Sequence, residues 1–268
     1  MITQLQQFRV EKPWGREKLP APFNDPRKIG EIWFQNDQSD GANICDQLLV
    51  KYLFTSEKLS VQVHPDDKTA KAQGLESGKT ECWYILHADE DARLGLGLKS
   101  ACDTQTLRSA ALSGDIEHML DWKTTQAGDM WFVPPGTIHA IGGGLQLIEV
   151  QQNADITYRL YDYGRPRELH LDAAMPVATP APYNMVNHIP AGQKPVLHST
   201  HFSLQLIDGP EQYPENLPQD LILIPLDDSL AMDGIKLEPG EVYYANNVHS
   251  LQWANPAKLL LAWPNATD

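Results

Sequence analysis

Residues Leu59–Ser60–Val61–Gln62–Val63–His64 alternate apolar and polar side chains without interruption. On a strand, successive side chains point to opposite faces. Leu59, Val61 and Val63 therefore share one face, and Ser60, Gln62 and His64 share the other. If the polar face looked inward, three hydrogen-bonding groups would be buried together and would demand a partner, of which a metal ion is one. The same alternation also describes a surface strand with its polar side chains outward.

Outward from this segment, strand patterns dominate. Short apolar runs recur between Gly, Pro, Asn and Asp clusters: Glu31–Phe34, Gln47–Phe54, Cys82–Ile85, Met130–Val133, Leu145–Gln151, Thr157–Asp162, Ser203–Ile207, Leu221–Ile224, Val242–Ala245 and Lys258–Trp263. The 20 prolines and 18 glycines favour turns over long helices. Helical periodicity is strong only in Asp103–Leu120, where Leu107, Ala111, Ile116, Met119 and Leu120 fall near a 3.6 period and Gly114 predicts a break between two short helices. A further short helix is expected from Pro65 to Gln73, opened by Pro and two aspartates. The fold class is mostly β with a small helical insertion.

Residues 175–198 are rich in Pro and Ala and aperiodic, reading as a linker or an extended crossing segment. Two stretches echo one another across it. Gly128–Pro135 (GDMWFVPP) leads to His139, and Pro239–Ala245 (PGEVYYA) leads to His249, each as glycine, acid, bulky strand residues, turn and histidine. Two copies of one β module would explain the echo.

The chain has 268 residues, enough to bury a core without a disulfide or metal to hold it together. Its net charge of −14, with no run of Lys and Arg, argues against nucleic acid or an anionic bilayer as partner. The three cysteines, Cys45, Cys82 and Cys102, show no paired spacing. The N-terminus lacks a secretory apolar region, and the densest apolar runs, Leu221–Leu226 and Leu259–Trp263, are too short to span a bilayer. A soluble, reduced, cytoplasmic protein is expected; nothing in the sequence sets its oligomeric state.

Lys79 and Glu81, two apart before the run Cys82–Ile85, would project together from a strand start, as an exposed ion pair does too. Gly128–His139 (GDMWFVPPGTIH) places a bulky strand, a rigid Pro134–Pro135–Gly136 turn and a histidine at the mouth of a β structure. The triple glycine Gly142–Gly144 follows, where backbone could approach a ligand closely. Gln62, His64, Glu81 and His139 together supply two imidazoles and two oxygens, a set that suits a divalent metal such as Zn²⁺. The tryptophans fall mostly in apolar runs and read as core, with Trp14 in a Pro–Trp–Gly turn the exception.

The spacing of Gly128, Pro134, Gly136 and His139 resembles the second metal motif of the cupin superfamily. The first such motif normally carries two histidines one residue apart and a glutamate soon after; here Gln62 stands at the first histidine and Glu81 comes much later. That departure resembles the type I phosphomannose isomerase family, with its Gln-x-His-Pro, Lys-x-Glu and later His around zinc. Lys12–Gly15 (KPWG), Gly30–Trp33 (GEIW), Gln62–Asp67 (QVHPDD) and Gln152–Asp162 (QNADITYRLYD) are similar to its conserved blocks. The resemblance covers residues 8–175 closely and the remainder loosely, in a short form without the large helical domain of the longer enzymes.

The resemblance implies two cupin-like (jelly-roll) β-barrel modules: a catalytic domain over 1–180, with its helical insertion near 103–120, and a metal-free β domain over 181–268. It implies one zinc per chain, held by Gln62, His64, Glu81 and His139. It also implies catalytic roles for Arg159, Lys79 and Glu149, and substrate contacts from Lys51, Ser60 and Arg159. The expected reaction interconverts mannose 6-phosphate and fructose 6-phosphate through an enediol, with the proton-transfer base open among Glu149, Lys79 and a metal-bound water. A substrate phosphate brings up to about two negative charges and needs a local cationic clamp, for which Arg159 and Lys51 are the supply. The other readings are a sugar-phosphate sensor that keeps the metal pocket without turnover, and a cupin redox enzyme using Fe²⁺ and oxygen. The second fits poorly, because Gln, His, Glu and His differ from two histidines and one carboxylate with open positions.

Overall fold

The computed structural model describes residues 1–36, 46–193, 196–210, 217–246, 248, 250–253 and 257–265. Cys45 and His249, the latter at the echo position of His139, lie outside the described residues. The chain begins with β1 (Ile2–Gln4), β2 (Gln6–Arg16), β3 (Ile29–Gln35), β4 (Leu48–Phe54), β5 (Val61–Val63) and β6 (Glu81–Ala88). It continues with β7 (Arg93–Leu98), β8 (Leu120–Thr124), β9 (Met130–Val133), β10 (His139–Ile141), β11 (Leu145–Gln152) and β12 (Tyr158–Tyr161). The next strands are β13 (His188–Ile189), β14 (Val196–His198), β15 (Phe202–Asp208), β16 (Asp220–Pro225) and β17 (Leu230–Met232). Last come β18 (Ile235–Leu237), β19 (Tyr243–Asn246), β20 (Leu251–Trp253) and β21 (Lys258–Pro264).

These strands make four antiparallel sheets, and among the described residues no sheet closes on itself. A seven-stranded sheet runs β13-β9-β6-β11-β4-β3-β2 and faces a five-stranded sheet, β12-β5-β10-β7-β8. A six-stranded sheet, β1-β19-β16-β21-β15-β14, covers the other face of the seven-stranded one, and a three-stranded sheet, β18-β17-β20, closes the far side.

Period-2 alternation assigns each residue to a layer. From the seven-stranded sheet, Phe34, Val50, Tyr52, Tyr84, Ile148 and Val150 pack against Phe202, Leu204, Ile222 and Leu260 of the six-stranded sheet. Their neighbours Leu53, Trp83, Ile85, Trp131 and Leu147 point the other way and meet Leu94, Leu96 and Ile141 of the five-stranded sheet. Because both faces are covered, every residue of β4 (LLVKYLF) is buried, Lys51 included. A third core joins the outer face of the five-stranded sheet (Val61, Val63, Ala140, Leu160) to helical residues Leu107, Ala111, Ile116 and Leu171. A fourth lies between the six- and three-stranded sheets, with Leu221, Leu259 and Leu261 against Leu230 and Met232.

The expected helical stretch forms helices Thr104–Ser113 and Ile116–Met119, broken at Gly114, whose φ of 88° a side chain would resist. Asp103 caps the first by accepting from the Thr106 amide at 2.7 Å. The helix after His64 spans Asp67–Ala72 and is capped by Asp66, which accepts from the Thr69 amide at 2.8 Å. The Pro/Ala-rich segment is an extended crossing: His188–Ile189 adds to the edge of β9, and Val196–His198 pairs with β15.

Two details differ from expectation. Leu59 does not share a face with Val61 and Val63; it precedes the strand and joins the inner core, while the two valines pack against the helices. The triple glycine meets protein rather than ligand. A Cβ on Gly143 would lie 2.8 Å from the Ser56 carbonyl oxygen, and one on Gly144 2.7 Å from the Asp89 carboxylate. These glycines let two chain segments cross in contact.

Leu260 is fully buried between the seven- and six-stranded sheets. Leu260→Ala should lower the free energy of unfolding by about 2–5 kcal/mol, read as a shifted urea midpoint with unchanged m-value. A loss below about 1 kcal/mol would mean that these sheets do not share a tight core.

Candidate metal centre

Between the five- and seven-stranded sheets the apolar packing gives way to a group of buried polar side chains. Strand register builds it. His139 on β10 stands opposite Gln62 on β5, which stands opposite Arg159 on β12, so the three form one row across the five-stranded sheet. On the facing sheet, Trp33, Lys51, Glu149 and Trp83 form a row across β3, β4, β11 and β6, and Glu81 opens β6 two residues before Trp83. The polar row of the Leu59–His64 segment thus looks inward.

His64 and His139 each hydrogen-bond through Nδ1 to a backbone carbonyl, of Ile156 at 2.7 Å and Thr137 at 2.9 Å. A carbonyl only accepts, so both Nδ1 atoms carry the proton and both Nε2 atoms present lone pairs. Those lone pairs point at one carboxylate: His64 Nε2 lies 3.6 Å from Glu81 Oε2, and His139 Nε2 lies 3.4 Å from Glu81 Oε1. Glu81 and His139 are 0% exposed. Glu81 Oε1 has no hydrogen-bond donor, and Oε2 has the Lys79 ammonium beside it at 2.8 Å. The Lys79 ammonium also lies 3.4 Å from His64 Nε2, which leaves His139 Nε2 and Glu81 Oε1 as the acceptors that face one another, an arrangement a cation between them would stabilise. One donor atom from each of His64, Glu81 and His139 lies within 4.8 Å of the others, close enough for a shared metal ion.

Gln62 completes the set. Its amide nitrogen lies 3.2 Å from His139 Nε2, and its Oε1 accepts from Ser60 Oγ at 3.2 Å. Turning the amide by 180° brings its oxygen to the same point and lets Ser60 accept instead. The four side chains expected as ligands therefore lie together, and Ser60 is buried beside them.

The charges behind the ligands form a chain. Lys79 Nζ lies 2.8 Å from Glu81 and 3.5 Å from Glu149 Oε1, which is also 3.5 Å from Lys51 Nζ. Trp83 Nε1 donates to Glu149 Oε2 at 3.1 Å, and Lys51 sits 4.4 Å from the centre of the Trp33 ring. Burial works against the charge on Glu149, but Lys79 and Lys51 outweigh it and hold the carboxyl at about 2. Burial likewise opposes the charge on Lys79, yet Glu149 and Glu81 keep its ammonium above the usual lysine range. Lys51 is pushed down, by burial first and by Lys79 second. Glu81 is pushed up to about 7 by burial, against Lys79. Burial lowers His64 well below the imidazole range, with Lys79 adding to it, and burial brings His139 to about 4. Both imidazoles are neutral at pH 7, the form that binds metals.

Arg159 is half-buried beside Gln62; its Nη1 donates to the Glu168 carbonyl at 2.7 Å, while Nε is buried without a partner. Sequence reasoning missed its cationic neighbours. Arg165 and Arg167 both bind the buried carboxylate of Asp162, at 2.8 and 2.5 Å. The signal was present in Asp162–Arg167 (DYGRPR), where two arginines flank a proline just past β12. Trp14 is packed in the inner core, 2% exposed, and stands apart from solvent.

No family model matches the chain. Over 212 residues it is 44% identical to mannose-6-phosphate isomerase of Streptococcus mutans, a match covering 65% of this chain and 67% of that protein. The chain belongs to the mannose-6-phosphate isomerase family. It is also 45% identical over 207 residues to the probable mannose-6-phosphate isomerase GmuF of Bacillus subtilis, covering 63% of this chain and 65% of that protein. The matched stretch thus spans about two thirds of the length of each relative. Among solved structures, mannose 6-phosphate isomerase from Bacillus subtilis superposes with a TM-score of 0.77 at 26% identity, over 97% of this chain and 98% of that one. A putative mannosephosphate isomerase from Archaeoglobus fulgidus shares the fold, with a TM-score of 0.77 at 18% identity over 99% and 98% of the two chains.

The cluster predicts a sharp effect on metal binding. His139→Ala should reduce Zn²⁺ bound in equilibrium dialysis from about one per chain to less than about a tenth of that, with the far-ultraviolet circular dichroism unchanged. Stoichiometric binding by this variant would remove His139 from the ligand set.

Proposed function

We propose that this chain is a zinc-dependent aldose–ketose isomerase that interconverts mannose 6-phosphate and fructose 6-phosphate through an enediol. The observation that carries the proposal is the convergence of two imidazole Nε2 atoms on the two oxygens of one buried carboxylate, Glu81, whose Oε1 has no hydrogen-bond donor. The family of the relatives supports the substrate. Gln62, His64, Glu81 and His139 would hold the ion, in keeping with their nitrogen and oxygen donors. Zn²⁺ bound there supplies a Lewis acid, without redox chemistry, for the oxygen at C1 or C2.

The chain's own side chains account for the rest of the reaction. Lys51, Lys79, Glu81 and Glu149 carry charges that cancel, so the inner pocket is neutral by itself and becomes about +2 with a divalent ion in place. That excess balances a phosphate of up to about −2. Ser60, beside Gln62, and Lys51 are the proposed phosphate contacts, with Arg159 as the cation that meets charge on both phosphate and enediolate. Lys79 and Glu149, 3.5 Å apart beside the ligands, provide an adjacent acid and base. One can serve ring opening and the other proton transfer between C1 and C2.

We further read the chain as two cupin-like jelly-roll modules, 1–180 and 181–268, the first catalytic and the second metal-free. The separate inner cores on either side of the shared sheets support this division. No helix among the described residues is long and apolar enough to cross a membrane. A cytoplasmic setting is part of the proposal, supported by the unpaired Cys82 and Cys102.

Two measurements test the reading. Conversion of mannose 6-phosphate to fructose 6-phosphate should vanish after chelation and return on adding zinc; no turnover by a zinc-loaded chain that still binds the sugar phosphate would make it a sensor. Arg159→Ala should lower kcat by at least about 100-fold while the zinc content and melting temperature stay those of the parent. Loss of zinc in that variant would move Arg159 from substrate to metal support.

A further inference from the structure

The ligands of the candidate centre come from two different sheets. His64 follows β5 and His139 opens β10 in the five-stranded sheet, whereas Glu81 opens β6 in the seven-stranded sheet. A metal ion tolerates only a few tenths of an ångström in its ligand distances, so something must fix the gap between the sheets at this point. Apolar packing elsewhere in the interface is non-directional and cannot set it so finely.

The structure provides a set of directional contacts here. The segment after His64 (Pro65–Asp67) and the segment before Glu81 (Gly78–Thr80) are joined directly: the Lys79 amide donates to the Pro65 carbonyl at 3.0 Å. The Gly78 amide donates to Asp67 Oδ1 at 2.8 Å. The same Oδ1 accepts from Gln152 Nε2 at 2.9 Å, while Gln152 Oε1 accepts from the Thr80 amide at 2.9 Å. The Gln152 amide itself donates to the Thr80 carbonyl at 3.0 Å. Gln152 therefore grips Thr80, the residue between Lys79 and Glu81, on both its backbone polar groups, and ties it to the carboxylate that leads back to His64. The approach is so close that a Cβ on Gly78 would lie 2.5 Å from the Pro65 carbonyl oxygen.

We infer that Asp67 and Gln152 are positioning residues: a hydrogen-bonded clamp across the two sheets that holds His64 and Glu81 at metal-binding separation. Neither belongs to the side-chain group that could hold the metal. Gln152 can do this because an amide both donates and accepts, and Asp67 because one oxygen takes two N–H donors at once. The inference rests on the proposed metal centre. Outer partners of metal ligands contribute about 10–100-fold in metal affinity.

The test measures Zn²⁺ affinity by competition with a chromophoric chelator, and the visible spectrum of the Co²⁺-loaded protein, for the parent, Asp67→Ala, Gln152→Leu and Asp67→Asn. Expected are a 10–100-fold weaker Zn²⁺ affinity and an altered Co²⁺ spectrum for Asp67→Ala and Gln152→Leu. Asp67→Asn keeps an acceptor oxygen and should stay within about threefold of the parent. The melting temperature of each metal-free variant reports on folding. Should Asp67→Ala not fold, the comparison of Gln152→Leu with Asp67→Asn decides. Parent-like affinity and spectra in the disrupting variants would overturn the clamp and leave the metal centre standing. Equal losses in Asp67→Asn and Asp67→Ala would also overturn it, since charge rather than the hydrogen bonds would then matter. A parent protein that binds no zinc would defeat the metal centre first, and the clamp's role with it.

Discussion

The seven-stranded sheet is covered on both faces, and most of the molecule follows from that. A strand with one wet face can carry a lysine or glutamate at no cost. In a doubly covered sheet each such residue must find a partner inside. Lys51 and Glu149 sit at opposed positions of β4 and β11 and meet each other; Glu81, at the start of β6, meets Lys79. One face of the sheet is thus mostly apolar, against the six-stranded layer, while the other changes from tryptophan and leucine to a row of charges toward one end. The charged end is where the second sheet brings its imidazoles.

That arrangement explains why the buried charges form a chain. Each of Glu149 and Lys79 has two partners of opposite sign, so removing Lys51 or Glu81 at an end of the chain leaves its neighbour still matched, whereas removing Glu149 or Lys79 strands the end member beyond it. The end of the chain is different. Glu81 Oε1 has no donor and faces a neutral imidazole, which leaves a carboxylate half-compensated in a dry site. That oxygen lies where His64, His139 and Gln62 converge.

Much of this was legible in the sequence. The alternation in Leu59–His64, the turn before His139 and the pair Lys79/Glu81 each had an ordinary surface reading, and their shared chemistry is what tied them together. The strands rich in apolar residues, such as β4 and β21, were plain. β7 (RLGLGL) was missed because Gly95 and Gly97 dilute its strand signal, and the short β10, β17 and β18 because three residues show no period. The burial of Lys51 and the grip of Gln152 on Thr80 could not be read at all. Both depend on which strands become neighbours, which local pattern does not encode. The triple glycine misled for a related reason: close approach was correctly inferred, but sequence alone does not say whether ligand or chain does the approaching.

The charge distribution completes the argument. The chain as a whole carries −14, yet the cations Lys51, Lys79, Arg159, Arg165 and Arg167 lie on β4, just before β6, and on or just past β12, paired with Glu81, Glu149, Asp162 and Glu57. Arg159 feels this crowding: burial, and after it the positive charge of Arg167, make its guanidinium less basic than usual. Like charges held together in this way gain by receiving an anion.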